Sequence, residues 1–360
     1  MSNINNHKIL KSKTFDKSLW IQMPRNVVVG HDVLIQIPEI ISNLGITGPI
    51  LVLSGETTMK LVGNRVVKLL QSYNVSTCIV NKITYDELER VESVANELKS
   101  VLIIAVGGGR VIDTAKIVSY NLDIQFISIP TAASHDGIVS SRASVLTDSG
   151  HVSVAAHPPV AVIADTKIIS SAPRRLLASG CADIIANYSA LLDWDLSHRI
   201  TGEKISEYAA TLSKITAEIL MSNADIISRN DETAAWIVIK SLVSSGIAMS
   251  IAGSSRPASG GEHKFAHALE LLAPGKALHG EACGIGTIIN LYLHGKDWKG
   301  IKSALKKIGA PTTPADIGIS NETCVDAIMK TIEIRPERYT IMNTGLTRDA
   351  AISAVKALYE

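Results

Sequence analysis

The sequence predicts an α/β nucleotide-binding domain with a parallel sheet flanked by helices, followed by an all-α domain, with an active site in the cleft between them. Short, uniformly apolar runs recur up to about residue 163, and helical patterns separate several of them, as in βαβ units. Beyond about residue 167, the apolar period becomes helical. Segments rich in glycine or small polar residues follow two of the buried runs, at the strand ends where such sheets bind ligands.

The composition is that of a globular protein. Of the 360 residues, 46% are hydrophobic and 19% are charged, which argues against intrinsic disorder. At roughly 100–200 residues per domain, this length predicts two domains. The 35 basic and 34 acidic residues give a net charge of +1, so no bulk field would recruit nucleic acid or anionic lipid. The four cysteines show neither CxxC spacing nor the density of a disulfide scaffold.

The first 20 residues are polar, and we expect them to form a mobile tail. They contain no continuous apolar stretch of the kind found in a secretory signal. No run in the chain reaches the ~18 consecutive apolar residues that a membrane helix needs. We therefore expect a cytoplasmic protein with no membrane span and no nucleic-acid partner.

The first domain is expected over residues 21–165. Its predicted strands are residues 27–29, 50–53, 77–80, 101–106, 126–129 and 160–163. A helix is predicted over residues 85–98, where apolar residues recur at spacings of three and four.

The second domain is expected over residues 166–360. Residues 171–173 are predicted to mark the start of a helix, because proline is tolerated in the first turn of a helix. Residues 205–219 carry one apolar helical face, and residues 231–253 form another predicted helix with an acidic start.

The segment AVGGGRVIDTAK, residues 105–116, joins an apolar strand to a predicted helix through three glycines. Glycines let the backbone approach a ligand closely, and the N–H groups at a helix start favour a phosphate. The alternative is a tight strand–helix turn that binds nothing. A second segment, SIPTAASHDGIVS at residues 128–140, also follows a buried strand and offers small polar groups to a cofactor or substrate. An ordinary polar loop is the alternative there.

Three histidines lie in the segments SGGEHKFAHALE and ALHGEACG, residues 259–270 and 277–284. His263 and His267 are four residues apart and would share one helix face. His279 follows 16 positions after His263, and we predict that it lies on a loop. Two imidazoles and one carboxylate, for which Asp183 is the leading candidate, would suit Zn²⁺ with an open fourth position. By spacing alone, unrelated surface or capping contacts are the more common outcome for such histidines.

These segments together resemble the superfamily of glycerol dehydrogenases, iron-dependent alcohol dehydrogenases and dehydroquinate synthases. Within it, the chain most resembles the sn-glycerol-1-phosphate dehydrogenase family, from about Met23 to the C-terminus. The resemblance is most specific in GGGRVIDTAK, IPTAASHDG, SGGEHKFAHALE, LHGEACGIGTIINLYLHG and IRPERYTI, the last at residues 334–341.

The resemblance implies three sets of site residues. Those implied to bind the cofactor are Gly109, Arg110, Val111, Ile112, Asp113, Thr131, Ala132, Ala133, Ser134 and Ser140. Those implied to contact the substrate are Asp136, His267 and Asp183, and those implied to hold one Zn²⁺ are Asp183, His263 and His279. Iron-dependent relatives place a further histidine four residues after the aspartate, where this chain has Asn187. That departure favours zinc with three protein ligands.

The resemblance further implies zinc-assisted, stereospecific reduction of dihydroxyacetone phosphate by NADH or NADPH to sn-glycerol 1-phosphate, a precursor of archaeal-type membrane phospholipids. Two alternatives stay open: a glycerol or polyol dehydrogenase acting on an unphosphorylated substrate, and a cyclising lyase of the dehydroquinate synthase type. Asp183 disfavours the lyase, because those enzymes usually have Glu there. Relatives form dimers and larger assemblies, so we expect a homo-oligomer.

Two details of binding are less sharply predicted. After the second strand, Ser54–Gly55 leaves room for the 2′-phosphate of NADPH, whereas Glu56 would suit the ribose diol of NADH. Candidates for binding the substrate phosphate are Lys264, Arg256, Arg335 and Arg338, and solvated surface charge is the alternative for each of them.

Overall fold

The computed structural model describes residues 21–147 and 150–360, so the predicted tail over residues 1–20 lies outside the described residues. The strands are β1 Asn26–Gly30, β2 Ile50–Ser54, β3 Val75–Ile79, β4 Leu102–Gly107, β5 Gln125–Pro130, β6 Arg142–Thr147, β7 Gly150–Ala155 and β8 Ala161–Asp165. Six of them form one parallel sheet in the order β1-β8-β5-β4-β2-β3, and β6 pairs with β7 as an antiparallel hairpin.

The helices lie between the strands and then make up the remainder of the described chain. Within the sheet region they are α1 Ile37–Asn43, α2 Glu56–Thr58, α3 Asn64–Leu69, α4 Tyr85–Glu97 and α5 Gly109–Leu122. After β8 they are α6 Thr166–Ser170, α7 Arg174–Ile185, α8 Asn187–Thr201, α9 Glu207–Ser222, α10 Ala224–Ile227, α11 Glu232–Ala252, α12 Gly261–Leu272, α13 His279–Leu293, α14 Trp298–Ile308, α15 Asn321–Lys330 and α16 Arg348–Ala357.

The sheet is covered on both faces, which explains its uniformly apolar strands. In β2 every residue is buried, and alternate side chains enter two different cores. Ile50 and Val52 pack with residues of α1 and α3 on one face. Leu51 and Leu53 face α4 and α5 on the other. The predicted fold class is therefore confirmed, and each of the six predicted strands is present within two residues of its expected ends.

The β6–β7 hairpin was not predicted. Residues 142–147 alternate between buried and more exposed side chains. They therefore lack the continuous apolar run that predicts a strand buried on both faces. The hairpin leads from the loop after β5 back towards β8, and its first strand contacts α5.

Helix ends follow local capping chemistry. Asp231 accepts a hydrogen bond from the N–H of Ala234 at 2.9 Å and starts α11, where an acidic helix start was predicted. Pro173 directly precedes α7, as the predicted helix entry requires. Helix α11 is long and apolar enough to span a membrane by length and composition alone, but 67% of its most apolar window is buried inside the protein.

One apolar core joins the sheet to the helical part. It includes Leu53 of β2, Ile112 of α5, Ile184 of α7, Leu242 of α11 and Ile288 of α13, all fully buried. The sheet face that carries α5 is therefore continuous with the packing of the later helices, and this places the strand ends of the sheet against α7, α12 and α13.

Candidate active site

Two loops meet at the carboxyl edge of the sheet. Strands β4 and β5 are parallel neighbours, so the glycine segment after β4 and the polar segment after β5 lie side by side. The N–H of Thr131 donates to the carbonyl of Gly107 at 3.1 Å and ties the loops together. The predicted helix after the glycines is α5, which already starts at the third of them, Gly109, and its first N–H groups have no partner within the helix. This edge is therefore suited to bind a phosphate group.

A cavity of about 740 Å³ opens next to this edge and extends to the helical part of the chain. Among the predicted site residues, those that line it are Gly109, Arg110, Asp113, Asp136, Ser140, His263, His267 and His279. The structure thus brings the first loop, the second loop and the three histidines to one cavity, although they are up to 170 residues apart in the sequence.

Several predicted cofactor residues face the protein interior instead. Val111, Ile112, Ala132 and Ala133 are buried in the core or beneath the loops. The carbonyl of Ser134 accepts a hydrogen bond from Ser179 Oγ of α7 at 3.1 Å.

Asp113 lines the cavity but also has structural partners. Its Oδ1 accepts from the buried Lys116 Nζ at 3.1 Å, and its Oδ2 accepts from the N–H of Ser144 at 3.0 Å. Asp113 therefore fastens the β6–β7 hairpin to α5.

Four potential metal ligands lie at the helical end of the cavity. Ligand atoms of Asp183, His263, His279 and Cys283 all lie within 4.8 Å of one another. Asp183 Oδ1 is 3.6 Å from His263 Nε2 and 3.7 Å from His279 Nε2. The predicted three-residue set therefore comes together, and Cys283, which was not predicted, lies beside it.

Helix packing brings these side chains together. Asp183 is on α7, His263 is on α12, and His279 is the first residue of α13. The prediction that His279 lies on a loop was wrong, because the loop after Pro274 ends at Leu278. The backbones of α13 and α7 are in direct contact, since a Cβ at Gly280 would overlap the carbonyl of Ser179.

Asp183 has one carboxylate oxygen that nothing in the described structure satisfies. Oδ2 accepts from the N–H of Asp136 at 3.0 Å. Oδ1 is buried and has no hydrogen-bond partner among the described residues, while it faces the two imidazoles. Burial raises the pKa of this carboxyl, whereas the N–H of Asp136 and then the neighbouring Cys283 side chain oppose that shift. A buried acceptor of this kind fits a bound cation.

A second carboxylate holds His263 in place. Glu262 Oε1 lies 2.9 Å from His263 Nδ1, so with Nδ1 protonated the ring presents Nε2 as the free acceptor. Glu262 Oε2 accepts from Ser189 Oγ at 2.6 Å. Burial, and then the charge of Asp193, raise the pKa of Glu262 to about 7. A carboxylate behind a histidine is the usual support of a metal-binding imidazole.

The predicted substrate contacts lie next to this group. Asp136 Oδ2 accepts from Ser245 Oγ at 3.2 Å, and burial, followed by the charge of Asp183, raises the pKa of Asp136. The ring of His267 lies 5.8 Å from that of His279, centroid to centroid. Asn187 is buried near Ser245 and does not belong to the group of four.

His135 lines the cavity and was not among the predicted site residues, although it belongs to the segment SIPTAASHDGIVS. Its Nδ1 accepts from the N–H of Gly137 at 3.0 Å. The opposite nitrogen, Nε2, therefore carries the proton and points towards Gly109 at the start of α5. Burial lowers the pKa of His135 to about 4, so the ring is neutral at pH 7.

Of the four basic residues considered for a phosphate, only Arg335 lines the cavity. Arg256 is buried against Glu203 at 2.5 Å, Lys264 Nζ donates to the carbonyl of Arg338, and the Arg338 guanidinium donates to the carbonyl of Ser259. They are neither phosphate ligands in this cavity nor solvated surface charges.

Arg142 of β6 joins Arg335 in the cavity lining. Burial, and next the charge of Arg142, lower the pKa of Arg335. Neither arginine forms an ion pair within residues 21–147 and 150–360, although the charge of Glu337 partly offsets the repulsion at Arg335. Two mutually repelling cations at one cavity favour an anionic ligand.

The segment after β2 does not settle the choice between NADH and NADPH. Ser54 is buried, and its hydroxyl donates to the carbonyl of Val106 at 2.7 Å, so it is not available to a 2′-phosphate. Glu56 is exposed at the start of α2.

Comparisons with known proteins agree with this architecture. Residues 28–173 match the family described as iron-containing alcohol dehydrogenase. The chain is 63% identical to glycerol-1-phosphate dehydrogenase [NAD(P)+] of Methanocorpusculum labreanum, covering 99% of each chain. It is 59% identical to the protein of the same name from Methanosphaerula palustris, covering 98% of each. Glycerol dehydrogenase from Schizosaccharomyces pombe has the same fold, with a TM-score of 0.79 at 21% identity over 95% of this chain and 90% of that one.

Proposed function

The chain belongs to the glycerol-1-phosphate dehydrogenase family of iron-containing alcohol dehydrogenases, and on that premise we propose that it reduces dihydroxyacetone phosphate to sn-glycerol 1-phosphate with NADH or NADPH. The product would enter the synthesis of archaeal-type phospholipids. The observation that carries the proposal is the single cavity that joins the start of α5 to the group of Asp183, His263 and His279. A hydride donor and a polarised ketone need this proximity.

We assign the metal to Asp183, His263 and His279. Asp183 Oδ1 has no hydrogen-bond partner in the part of the chain that the structure describes, and Glu262 orients His263 so that Nε2 faces the group. When bound there, Zn²⁺ would supply Lewis-acid polarisation of the C2 carbonyl. The three side chains hold the carbonyl end of the substrate at the helical side of the cavity.

The first loop is proposed to hold the dinucleotide. Backbone N–H groups of Gly109 and Arg110 at the start of α5, together with the dipole of that helix, suit the pyrophosphate. His135 adds an Nε2–H next to Gly109. Ser140 also lines the cavity, and we assign it to the nicotinamide end of the cofactor. The cofactor supplies the hydride, and these groups orient the ring that carries it.

His267 and Asp136 are proposed to contact the substrate between the cofactor and the metal group. His267 is on the same helix face as His263, one turn later. From that position it is placed to bind O2 and to pass a proton to it. Asp136 is held by Ser245 and lies at the loop that also contacts Asp183.

The substrate phosphate is assigned to Arg335 and Arg142. A phosphate held by charge-assisted hydrogen bonds at one end and a carbonyl held at the other would leave the ketone a single orientation. With the nicotinamide on one side only, hydride reaches one face, and a single enantiomer forms.

The test compares dihydroxyacetone phosphate, dihydroxyacetone and glyceraldehyde 3-phosphate by following NADH and NADPH oxidation. We expect kcat/KM for dihydroxyacetone phosphate to be far the highest, because binding energy at the phosphate orients the carbonyl. The product is then offered to a dehydrogenase specific for the sn-3 enantiomer. Consumption of the product would contradict the stereochemistry.

The same assay separates the alternatives. Equal kcat/KM for dihydroxyacetone would indicate a polyol dehydrogenase. A cyclising lyase would show no net oxidation of the nicotinamide cofactor with any of these three substrates. The unpaired Arg335 and Arg142 favour the phosphorylated substrate over a neutral polyol.

We also propose a homo-oligomer in the cytoplasm. All four cysteines are buried and free, as suits a reducing compartment. Light scattering of the purified protein measures the oligomeric state, and a monomer at micromolar concentration would contradict that part of the proposal.

A further inference from the structure

Cys283 lies beside the three residues assigned to the metal. Its sulfur is 3.6 Å from Nε2 of His279, and the side chain is fully buried. It follows His279 by one turn of α13, so both side chains project from the same helix face, towards Asp183 of α7.

We propose that Cys283 is a fourth, exchangeable ligand of the metal. Its thiolate completes the coordination when no substrate is bound, and the carbonyl oxygen of the substrate takes its place. The inference rests on the proposed function, because it requires that Asp183, His263 and His279 hold a metal ion.

Three of the six ligand-atom separations in the group are close to the edges of one tetrahedral site, and the other three are within 4.8 Å. Bonds of about 2.0–2.1 Å to nitrogen or oxygen and about 2.3 Å to sulfur place the ligand atoms roughly 3.3–3.6 Å apart. Asp183 Oδ1 is 3.6 Å and 3.7 Å from the Nε2 atoms of His263 and His279. The sulfur of Cys283 is 3.6 Å from the second of these nitrogens. Small side-chain shifts therefore suffice to enclose an ion.

A second observation singles out this cysteine. Asp183 Oδ1, whose side chain is 1% exposed, points into the group without a hydrogen-bond partner. Cys78, Cys181 and Cys324 are also buried. Within the described residues, none of these three belongs to a group of potential ligands, whereas Cys283 does. The unsatisfied carboxylate oxygen thus marks the place where a cation would meet this thiol.

The cavity indicates which ligand would be exchanged. His263 and His279 line it, while Asp183 and Cys283 lie behind them on the protein side. A substrate oxygen therefore approaches from the side of the imidazoles. A site with four protein ligands is closed, and catalysis needs an open position. Ligation would require the thiol to release its proton, and replacement of the sulfur by the substrate oxygen would return one to it.

The experiment replaces the zinc of the full-length protein with Co²⁺ and records the near-ultraviolet spectrum. Thiolate ligation gives a sulfur-to-cobalt charge-transfer band. We expect the band in the wild type and in Cys324→Ser, the matched control, and its loss in Cys283→Ser. NAD⁺ and dihydroxyacetone phosphate are both in their oxidised forms, so together they bind without hydride transfer. Adding them should weaken the band, because the substrate oxygen replaces the sulfur. Zinc release to a chelator should be about tenfold faster, or more, in Cys283→Ser than in the control.

Each other outcome decides a separate part of the inference. Stoichiometric cobalt without the band in the wild type, or an equal band in Cys283→Ser, overturns ligation by Cys283. A band unchanged by NAD⁺ and dihydroxyacetone phosphate overturns the exchange. A band in a protein that does not reduce dihydroxyacetone phosphate contradicts the proposed function yet supports ligation, so the two failures are distinguishable.

Discussion

Glu262 illustrates how a buried charge is used at the scale of one residue. Its side chain is fully buried, and both oxygens accept hydrogen bonds, from His263 Nδ1 and the N–H of Gly260 on one side and from Ser189 and Asn290 on the other. Burying a carboxylate is costly unless its hydrogen bonds are made. The hydrogen bond to His263 also serves the proposed metal site, because it fixes which ring nitrogen faces Asp183 and His279.

Replacing Glu262 with Gln should weaken zinc binding without unfolding the protein. The amide has nearly the same shape but is a weaker acceptor for the Nδ1 proton. We expect zinc affinity to fall about 10–100-fold, as for other outer partners of metal-binding histidines. Competition with a chromogenic chelator measures it. Glu207→Gln, at an exposed position of α9, is the control, and unchanged zinc affinity in Glu262→Gln would remove this role.

Individual side chains of the site were only partly predictable from the sequence. The motif blocks identified Asp183, His263 and His279 because the resemblance carries them residue by residue. Cys283 was missed because its relation to His279 exists only if both are on one helix, and a loop was predicted there. A histidine and a cysteine four residues apart in HGEAC was the available signal. Arg142 gave none, since the hairpin that carries it was not predicted.

At the scale of elements, the start of α5 is the part of the fold on which the cofactor assignment depends. Gly108 precedes the helix with φ −85°, which any residue can adopt. A Cβ at this position would meet nothing within 4 Å. The space above the helix start is thus open to a ligand, and glycine there is not required by packing.

Gly108→Val should therefore fold normally and lose NADH affinity. Its branched side chain would occupy the open space in which the pyrophosphate is expected. Calorimetry should show a large loss of NADH binding, with zinc content still near one per chain. Gly108→Ala, which adds only a methyl group, should give a smaller loss. Wild-type NADH affinity in the valine variant would place the pyrophosphate elsewhere.

Elements buried on both sides were the most predictable ones. The strands of the main sheet are continuous apolar runs because helices cover both faces, and such runs are visible in a sequence. Their ends differ from the predicted ones by at most two residues, since turn residues do not mark where the pairing of neighbouring strands stops. The half-exposed β6–β7 hairpin has neither a long apolar run nor a helical period, so only the three-dimensional packing defines it.

At the scale of the whole molecule, one apolar core passes from the sheet into the helical part. The division into domains at about residue 165 stays a prediction. What the structure describes is a change of architecture after β8, across which buried side chains remain in contact. The cavity lies along this junction, and residues from Asn81 in the sheet region to Arg335 in the helical part line it.

Arg335 lines the cavity at this junction. Replacing it tests whether it binds the substrate phosphate. Arg335→Gln should raise KM for dihydroxyacetone phosphate about 10–100-fold, because a hydrogen bond to a charged group is worth about 1.5–3 kcal/mol. We expect kcat/KM for dihydroxyacetone and the affinity for NADH to stay the same. Arg335→Lys should recover part of the loss. Arg348→Gln, on the surface of α16, is the control.

An equal loss of kcat/KM for dihydroxyacetone in Arg335→Gln would show that this arginine shapes the cavity instead of binding phosphate. Steady-state kinetics with the two ketones, at saturating NADH, distinguishes these results.

The shared carboxylate of Asp183 has a consequence for how the enzyme keeps its metal. One oxygen accepts from the N–H of Asp136, on the loop next to the proposed cofactor site, and the other faces the proposed metal site. Helix α7 also touches that loop directly at Gly180, where a Cβ would overlap the carbonyl of Ala133. Any effect of zinc on cofactor affinity must be matched by an equal effect of the cofactor on zinc affinity. Where that effect is favourable, a well-filled nicotinamide pool protects the enzyme against zinc starvation.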